Sequence, residues 1–174
     1  MPEWTVVKKG RLVPIPQEDD ATCWRAAYQM MFDWKGKSKD VIDTMVKGSV
    51  ANADLCYKLG LDKSDWEKVG NLLGMKTAKA AKPFTAAQLA GFLANSPVLI
   101  HGKFGMGIHS IVITGVSVAT GFFESEDEEM TSYINPYWTG TKEVKERSSK
   151  FNEYVKLGVE RQNGQAGVIQ YWGK

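Results

Sequence analysis

With 174 residues, 43% of them apolar and six of them tryptophan, the chain is long enough for one packed domain and too apolar for global disorder. A formal net charge of +2, with Lys and Arg scattered rather than striped, argues for neither a nucleic-acid nor a membrane partner. Two cysteines make no disulfide scaffold at this size.

Residues 4–7 and 11–15 read as short strands or extended pieces, because Pro14 and Pro16 prevent a helix. The stretch from Gln17 to Trp34 follows, and the chain is organised around it. From Ala21 onward Trp24, Ala26, Ala27, Tyr28, Met30, Met31, Phe32 and Trp34 leave little polar face, which predicts a buried helix. Asp19, Asp20 and Thr22 are suited to its N-cap, and Lys35 and Gly36 mark its end. Residues 38–47 predict an amphipathic helix with Val41, Ile42, Met45 and Val46 on one side, and 52–59 a second helical piece. Ser64 with Glu67 fits a capping box opening a helix towards Met75, and Thr85 with Gln88 fits another.

Character changes at Pro97. PVLIHG reads as a compact strand, GKFGMG as a flexible connection and HSIVITGVSV as a strand rich in β-branched residues. Residues 119–130 read as an acidic hairpin tip and TSYINP as a strand stopped by Pro136. A further strand over 143–147, a short helix over SSKFNEYVK and a last strand in AGVIQYW complete the chain. Helices first and an antiparallel sheet second predict an α+β fold, with residues 1–174 as a single domain. The N-terminus shows no secretory signal and no run approaches a membrane span, so synthesis in the cytoplasm is expected.

Cys23 falls in the first turn of the central helix. Unpaired N–H groups and the partial positive charge there favour thiolate over thiol, while Asp19 and Asp20 work against it. Cys56, in ANADLC, reads as a buried filler. A thiol nucleophile needs a base, and the chain has two histidines, His101 and His109. His109 opens the most strongly β-patterned strand, beside a loop, and is the first candidate. His101 ends the preceding strand and can point into the same cleft or out to water. Asn135, at the end of the next strand, meets His109 at one rim of the sheet if the two strands pair antiparallel, and can hold the imidazole in one tautomer. The backbone N–H of Cys23 and the side-chain amide of Gln17 are the candidate oxyanion donors. Neither metal-ligand spacing nor a phosphate-binding glycine motif is visible, so no metal or cofactor is expected.

The ordered set Gln17, Cys23-Trp24, His109 and Asn135 resembles the papain-like cysteine peptidases, in which Gln, five residues, Cys and an aromatic begin the central helix. HSIVITGV and YINPYW, after a Pro-Val strand and a Gly-rich loop, resemble segments of the compact bacterial branch, which includes double-glycine peptidases that trim bacteriocin leaders and proteases injected as effectors. The likeness runs from Gln17 to Trp138. It implies a papain-like fold with the helical half packed on an antiparallel sheet, Cys23 as nucleophile, His109 as base and acid, Asn135 as orienting residue and Gln17 as oxyanion donor. Two departures stand out. Glu-Asp-Asp-Ala-Thr leads up to the cysteine, and Asn135 stands where compact members often carry Asp.

The resemblance implies a cysteine protease acting on a protein or peptide substrate, without cofactor. It further implies a bacterial toxin or effector, held in check by a cognate inhibitor or immunity protein and delivered into a target cell by a secretion system. Other chemistries fit the same residues: a deamidase, a transglutaminase-like acyl transferase or a peptidoglycan amidase. A non-catalytic binding domain on the same fold is the alternative from another class.

Overall fold

The computed structural model describes residues 3–6, 12–80, 84–104, 107–118, 129–137, 144–151 and 167–173. In chain order these form β1 (Glu3–Val6), α1 (Cys23–Lys35), α2 (Val41–Ser49), α3 (Ala53–Leu59), α4 (Trp66–Leu72), β2 (Lys76–Ala80), α5 (Ala86–Leu93), β3 (Val98–Phe104), β4 (Gly107–Val118), β5 (Met130–Ile134), β6 (Glu146–Lys150) and β7 (Gly167–Tyr171). The fold is α+β.

All strand pairs are antiparallel, in the order β2-β7-β3-β4-β5-β6. The long strand β4 pairs β3 through its first half and β1 through Gly115–Val118. Because β5 also pairs Gly115 and Val116, β1 must continue the β3 side of β4. Thr114 is an extra residue in the β4–β5 ladder, a bulge that bends the strand where its partner changes.

Both faces of this sheet are covered. Leu99, Val112, Ile134 and Val168 face a core built with α1, α2, α3, α4 and Trp172. Their neighbours Val98, Ile100, Ile111, Ile113 and Ile169 face a second core with Phe84, Leu89 and Leu93 of α5 and with Phe151. That is why VLI and IVI run apolar without alternation: a strand buried on both faces needs no polar side. The helices are therefore not all on one side, since α5 crosses to the far face.

α1 is the buried helix that its composition predicts, with Trp24, Ala26, Ala27, Tyr28, Met30, Met31 and Phe32 all buried. It ends where Gly36 adopts φ 74° and Lys37 N–H bonds back to Phe32 O at 2.9 Å. Arg25, on its less buried side, makes a two-pronged pair with Asp43 of α2 at 2.8 and 2.7 Å and reaches Glu18 at 2.6 Å, tying the loop before α1 to the next helix.

Several boundaries depart from the sequence expectations. Asp62 caps a short 3-10 turn over Lys63–Asp65, its carboxylate accepting from Ser64 N–H at 2.9 Å, and α4 opens only after that turn, so the Ser64–Glu67 box does not form. Gly74, at φ 77°, stops that helix short of Met75 and sends the chain directly into β2, a strand the sequence reading lacked. The Thr85–Gln88 box is present in full. Ser148–Lys150 belong to β6 rather than to a helix, and β6 begins at Glu146 rather than at 143. GKFGMG is a strand extension at its ends rather than a flexible connection, Gly102–Phe104 belonging to β3 and Gly107 to β4; its residues 105–106, the acidic segment 119–128 and residues 152–156 lie outside the described residues.

Candidate active site

Thr22 occupies the N-cap of α1 but makes no side-chain cap. Its Oγ1 accepts instead from the N–H groups of Glu18 and Asp19, both at 3.1 Å. The loop is thus tied to itself, and the first-turn N–H groups of the helix keep other partners. Those of Cys23 and Trp24 bear on the Cys23 sulfur. So does the N–H of Ser110 on β4, and so does the Ser110 hydroxyl. Ser110 N–H belongs to the peptide joining it to His109, so the thiol rests on that peptide.

These contacts act in the direction expected of a helix N-terminus, lowering the thiol pKa, but they do not win. Cys23 is buried, and the loss of water raises its pKa above the ordinary thiol value. The pull of the helix terminus is present, and burial, rather than Asp19 or Asp20, is what opposes it. Both cysteines are free, and Cys56 is buried behind Trp24, whose indole N–H donates to the Cys56 carbonyl at 3.0 Å.

The β4–β5 register, Val112 opposite Ile134, leaves Asn135 just past the last pair and His109 near the start of the longer strand. His109 Nε2 and Asn135 Oδ1 are 2.6 Å apart. The same oxygen accepts from Tyr137 N–H at 2.8 Å. A backbone N–H can only donate, which identifies the amide atom facing His109 as the oxygen. His109 therefore donates from Nε2, and its neutral form keeps the lone pair on Nδ1. Tyr137 stands edge-on to the imidazole, with ring centroids 6.2 Å apart. Burial lowers the His109 pKa below the ordinary value, against the bond from Asn135, which raises it.

Gln17 is buried rather than a surface glutamine. Its backbone N–H donates to Pro136 O at 3.0 Å, docking the loop onto the strand end that carries Asn135. Its Nε2 donates to Asp19 O at 2.7 Å, and its Oε1 is buried without a hydrogen-bond partner. Contacts thus run in sequence from the Gln17 loop to Pro136, Asn135, His109, Ser110 and Cys23.

His101 lies in the middle of β3, not at its end, and faces neither cleft nor water. It is fully buried, stacked on Trp66 at 4.8 Å, and hydrogen-bonded to Ser110, Tyr28 and Gln170. Desolvation pushes its pKa down to about 3. Ser110 and Tyr137 escaped the sequence reading, although each stands within two residues of a residue it had singled out.

Beside Cys23 and Ser110 a cleft of about 390 Å³ opens between α3, the turn before α4 and the start of β4. Leu55, Leu59 and Ile108 line it while remaining 49%, 79% and 50% exposed. Asp20, Asp62 and Asp65 also line it, with no basic residue among them.

Comparison with known proteins agrees with this architecture. The peptidase domain of Streptococcus ComA, a bi-functional ABC transporter involved in a quorum-sensing pathway, superposes with a TM-score of 0.58 at 15% identity, over 94% of this chain and 100% of that one. At that identity the likeness concerns the fold. No curated protein matches the sequence. The family described as papain-like cysteine protease AvrRpt2 matches residues 8–154. The chain belongs to that family and is a compact papain-like cysteine peptidase.

Proposed function

We propose that the protein hydrolyses peptide bonds through Cys23, His109 and Asn135, with Gln17 and the Cys23 N–H binding the oxyanion. The observation that carries this reading is the Cys23 thiol resting on the His109–Ser110 peptide while Asn135 fixes the His109 tautomer. Nδ1 of His109 takes the thiol proton as sulfur attacks the carbonyl carbon, and the π pair moves onto oxygen. The same nitrogen returns the proton to the departing amine, leaving an acyl group on sulfur. Water, deprotonated by His109, then attacks the thioester and frees the acid and the thiol. Asn135 stabilises the transient imidazolium through its oxygen without adding a negative charge.

The cleft beside the thiol favours a segment with an apolar side chain next to a basic residue, because exposed leucines and an isoleucine share its walls with three aspartates. Peptides with Lys or Arg replaced by Glu beside the apolar residue are expected to show a higher KM with little change in kcat. A single-domain toxin or effector, delivered into a target cell and restrained by an inhibitor protein, is the setting proposed from the sequence resemblance.

Incubation with a peptide library, read by mass spectrometry, tests the activity. The expected result is cleavage by the wild type and none by Cys23→Ala. Equal cleavage by both would overturn the reading. For the setting, bacteria expressing the wild type should grow more slowly than those expressing Cys23→Ala, and equal growth would count against an action on cytosolic targets.

A further inference from the structure

The loop that delivers the chain to α1 is closed by one hydroxyl. Thr22 is buried, and its Oγ1 fills every position a hydroxyl has: it accepts from Glu18 N–H and Asp19 N–H, both at 3.1 Å, and donates to Asp19 O at 3.3 Å. Thr22 N–H donates to the same carbonyl, also at 3.3 Å. The peptides on either side of Asp19 are therefore held by one residue. The Arg25–Glu18 ion pair is no substitute for this hold, because the Glu18 side chain is 72% exposed and water screens the pair.

Asp19 O also receives the Gln17 side chain, from Nε2 at 2.7 Å. A carbonyl only accepts, so this contact keeps the amide nitrogen turned towards Asp19 O and would meet the amide oxygen with repulsion. No second bond sets the amide plane, since Oε1 is buried without a hydrogen-bond partner. The main chain of Gln17 is fixed separately, by its N–H on Pro136 O at 3.0 Å. The orientation of the amide thus depends on where Asp19 O stands, and Asp19 O stands where Thr22 holds it.

Nε2 has two protons, and Asp19 O takes one of them. We propose that Thr22 is a positioning residue for the oxyanion donor. Its hydroxyl fixes Asp19 O, and Asp19 O in turn keeps the Gln17 amide nitrogen, with its second proton, available to the oxyanion. A flipped amide would present an oxygen lone pair where negative charge develops, and would oppose the reaction. Thr22 acts here only through Gln17, so its role rests on Gln17 being the oxyanion donor proposed above.

The test is a double-mutant cycle read by peptide cleavage. Thr22→Val keeps the shape of the side chain and removes the hydroxyl. It is expected to lower kcat by about 5- to 50-fold with KM within about twofold, a part of the ~10²-fold that losing the donor in Gln17→Ala should cost. Thr22→Ser, which keeps the hydroxyl, should retain most of the wild-type kcat. In the Gln17→Ala background Thr22→Val should add less than about twofold, because the group it positions is gone. An undiminished loss in that background, or a loss carried by KM, is what a merely structural role would give, and either overturns the proposal.

Amide hydrogen exchange supplies a readout that needs neither a variant nor a substrate. In the wild type the N–H groups of Glu18 and Asp19 should exchange at least about 10-fold more slowly than in an unstructured peptide, and Thr22→Val should release both. Free exchange in the wild type overturns the proposal even if Thr22→Val fails to fold. Failure of the peptidase reading looks different: no cleavage by the wild type with both amides still protected, a result that removes the oxyanion and the role of Thr22 with it.

Discussion

His101 and His109 stand on adjacent antiparallel strands, and burial lowers the pKa of both, yet they answer to different surroundings. His101 faces α1 and spends both nitrogens on fixed protein groups. His109, at the rim, spends Nε2 on Asn135 and keeps a lone pair on Nδ1, the nitrogen to which the proposed mechanism assigns the reacting proton. The difference teaches that burial alone does not mark a catalytic histidine. What marks it is a second nitrogen left with chemistry to do, beside a nucleophile, while the first is held still.

The comparison is broken most directly by exchanging the two losses. His109→Ala is expected to lower kcat/KM on the order of 10²- to 10⁴-fold with little change in Tm. His101→Phe should instead leave most of the activity and cost about 1–3 kcal/mol of stability, since it strands polar groups of Tyr28 and Gln170. Comparable activity losses in both would show that the two histidines act as one unit.

Acid sharpens the contrast. In the unfolded chain His101 takes a proton below its ordinary pKa of about 6.5, whereas in the folded protein it resists until about pH 3. The unfolded state therefore binds more protons across that window. Stability is full above ~6.5 and falls as pH drops, by up to roughly 1.4 kcal/mol per unit from His101. Urea denaturation between pH ~6.5 and 5 measures the slope, and His101→Phe should flatten it; an unchanged slope would mean that another group carries it.

The smallest expected effect concerns Asn135. The acid limb of kcat/KM should lie below pH ~6.5, because burial lowers the His109 pKa. Asn135→Asp places a carboxylate on the imidazole and should move that limb up by about one unit. No movement would place the titrating group of the limb elsewhere.

The core of the fold was legible where apolar period or capping chemistry was strong. α1 is apolar all round, α5 carries a complete capping box, and β3 and β4 are dense in branched residues buried on both faces. Of the two edge strands, β2 was not legible and β6 was read out of register, as a strand over 143–147 followed by a helix. β2 reads KTAKA and β6 reads ERSSK, and both are held by ladder hydrogen bonds more than by buried apolar area, which leaves little hydrophobic signal to read. The boundary before α4 was misplaced because Asp62 and Ser64 are both competent caps, and only the path of the chain chose between them.

The sequence by itself determined the order and kind of the candidate site residues, a cysteine opening a buried helix and a histidine near the start of a β-branched strand, because side-chain chemistry and periodicity are local properties. Only the tertiary structure decided which His109 nitrogen is held, that Gln17 docks on Pro136, that His101 belongs to the core, and that burial outweighs the helix terminus at Cys23. Those outcomes depend on which distant groups share one volume and how much water they exclude, and neither quantity is written in any single stretch of the chain.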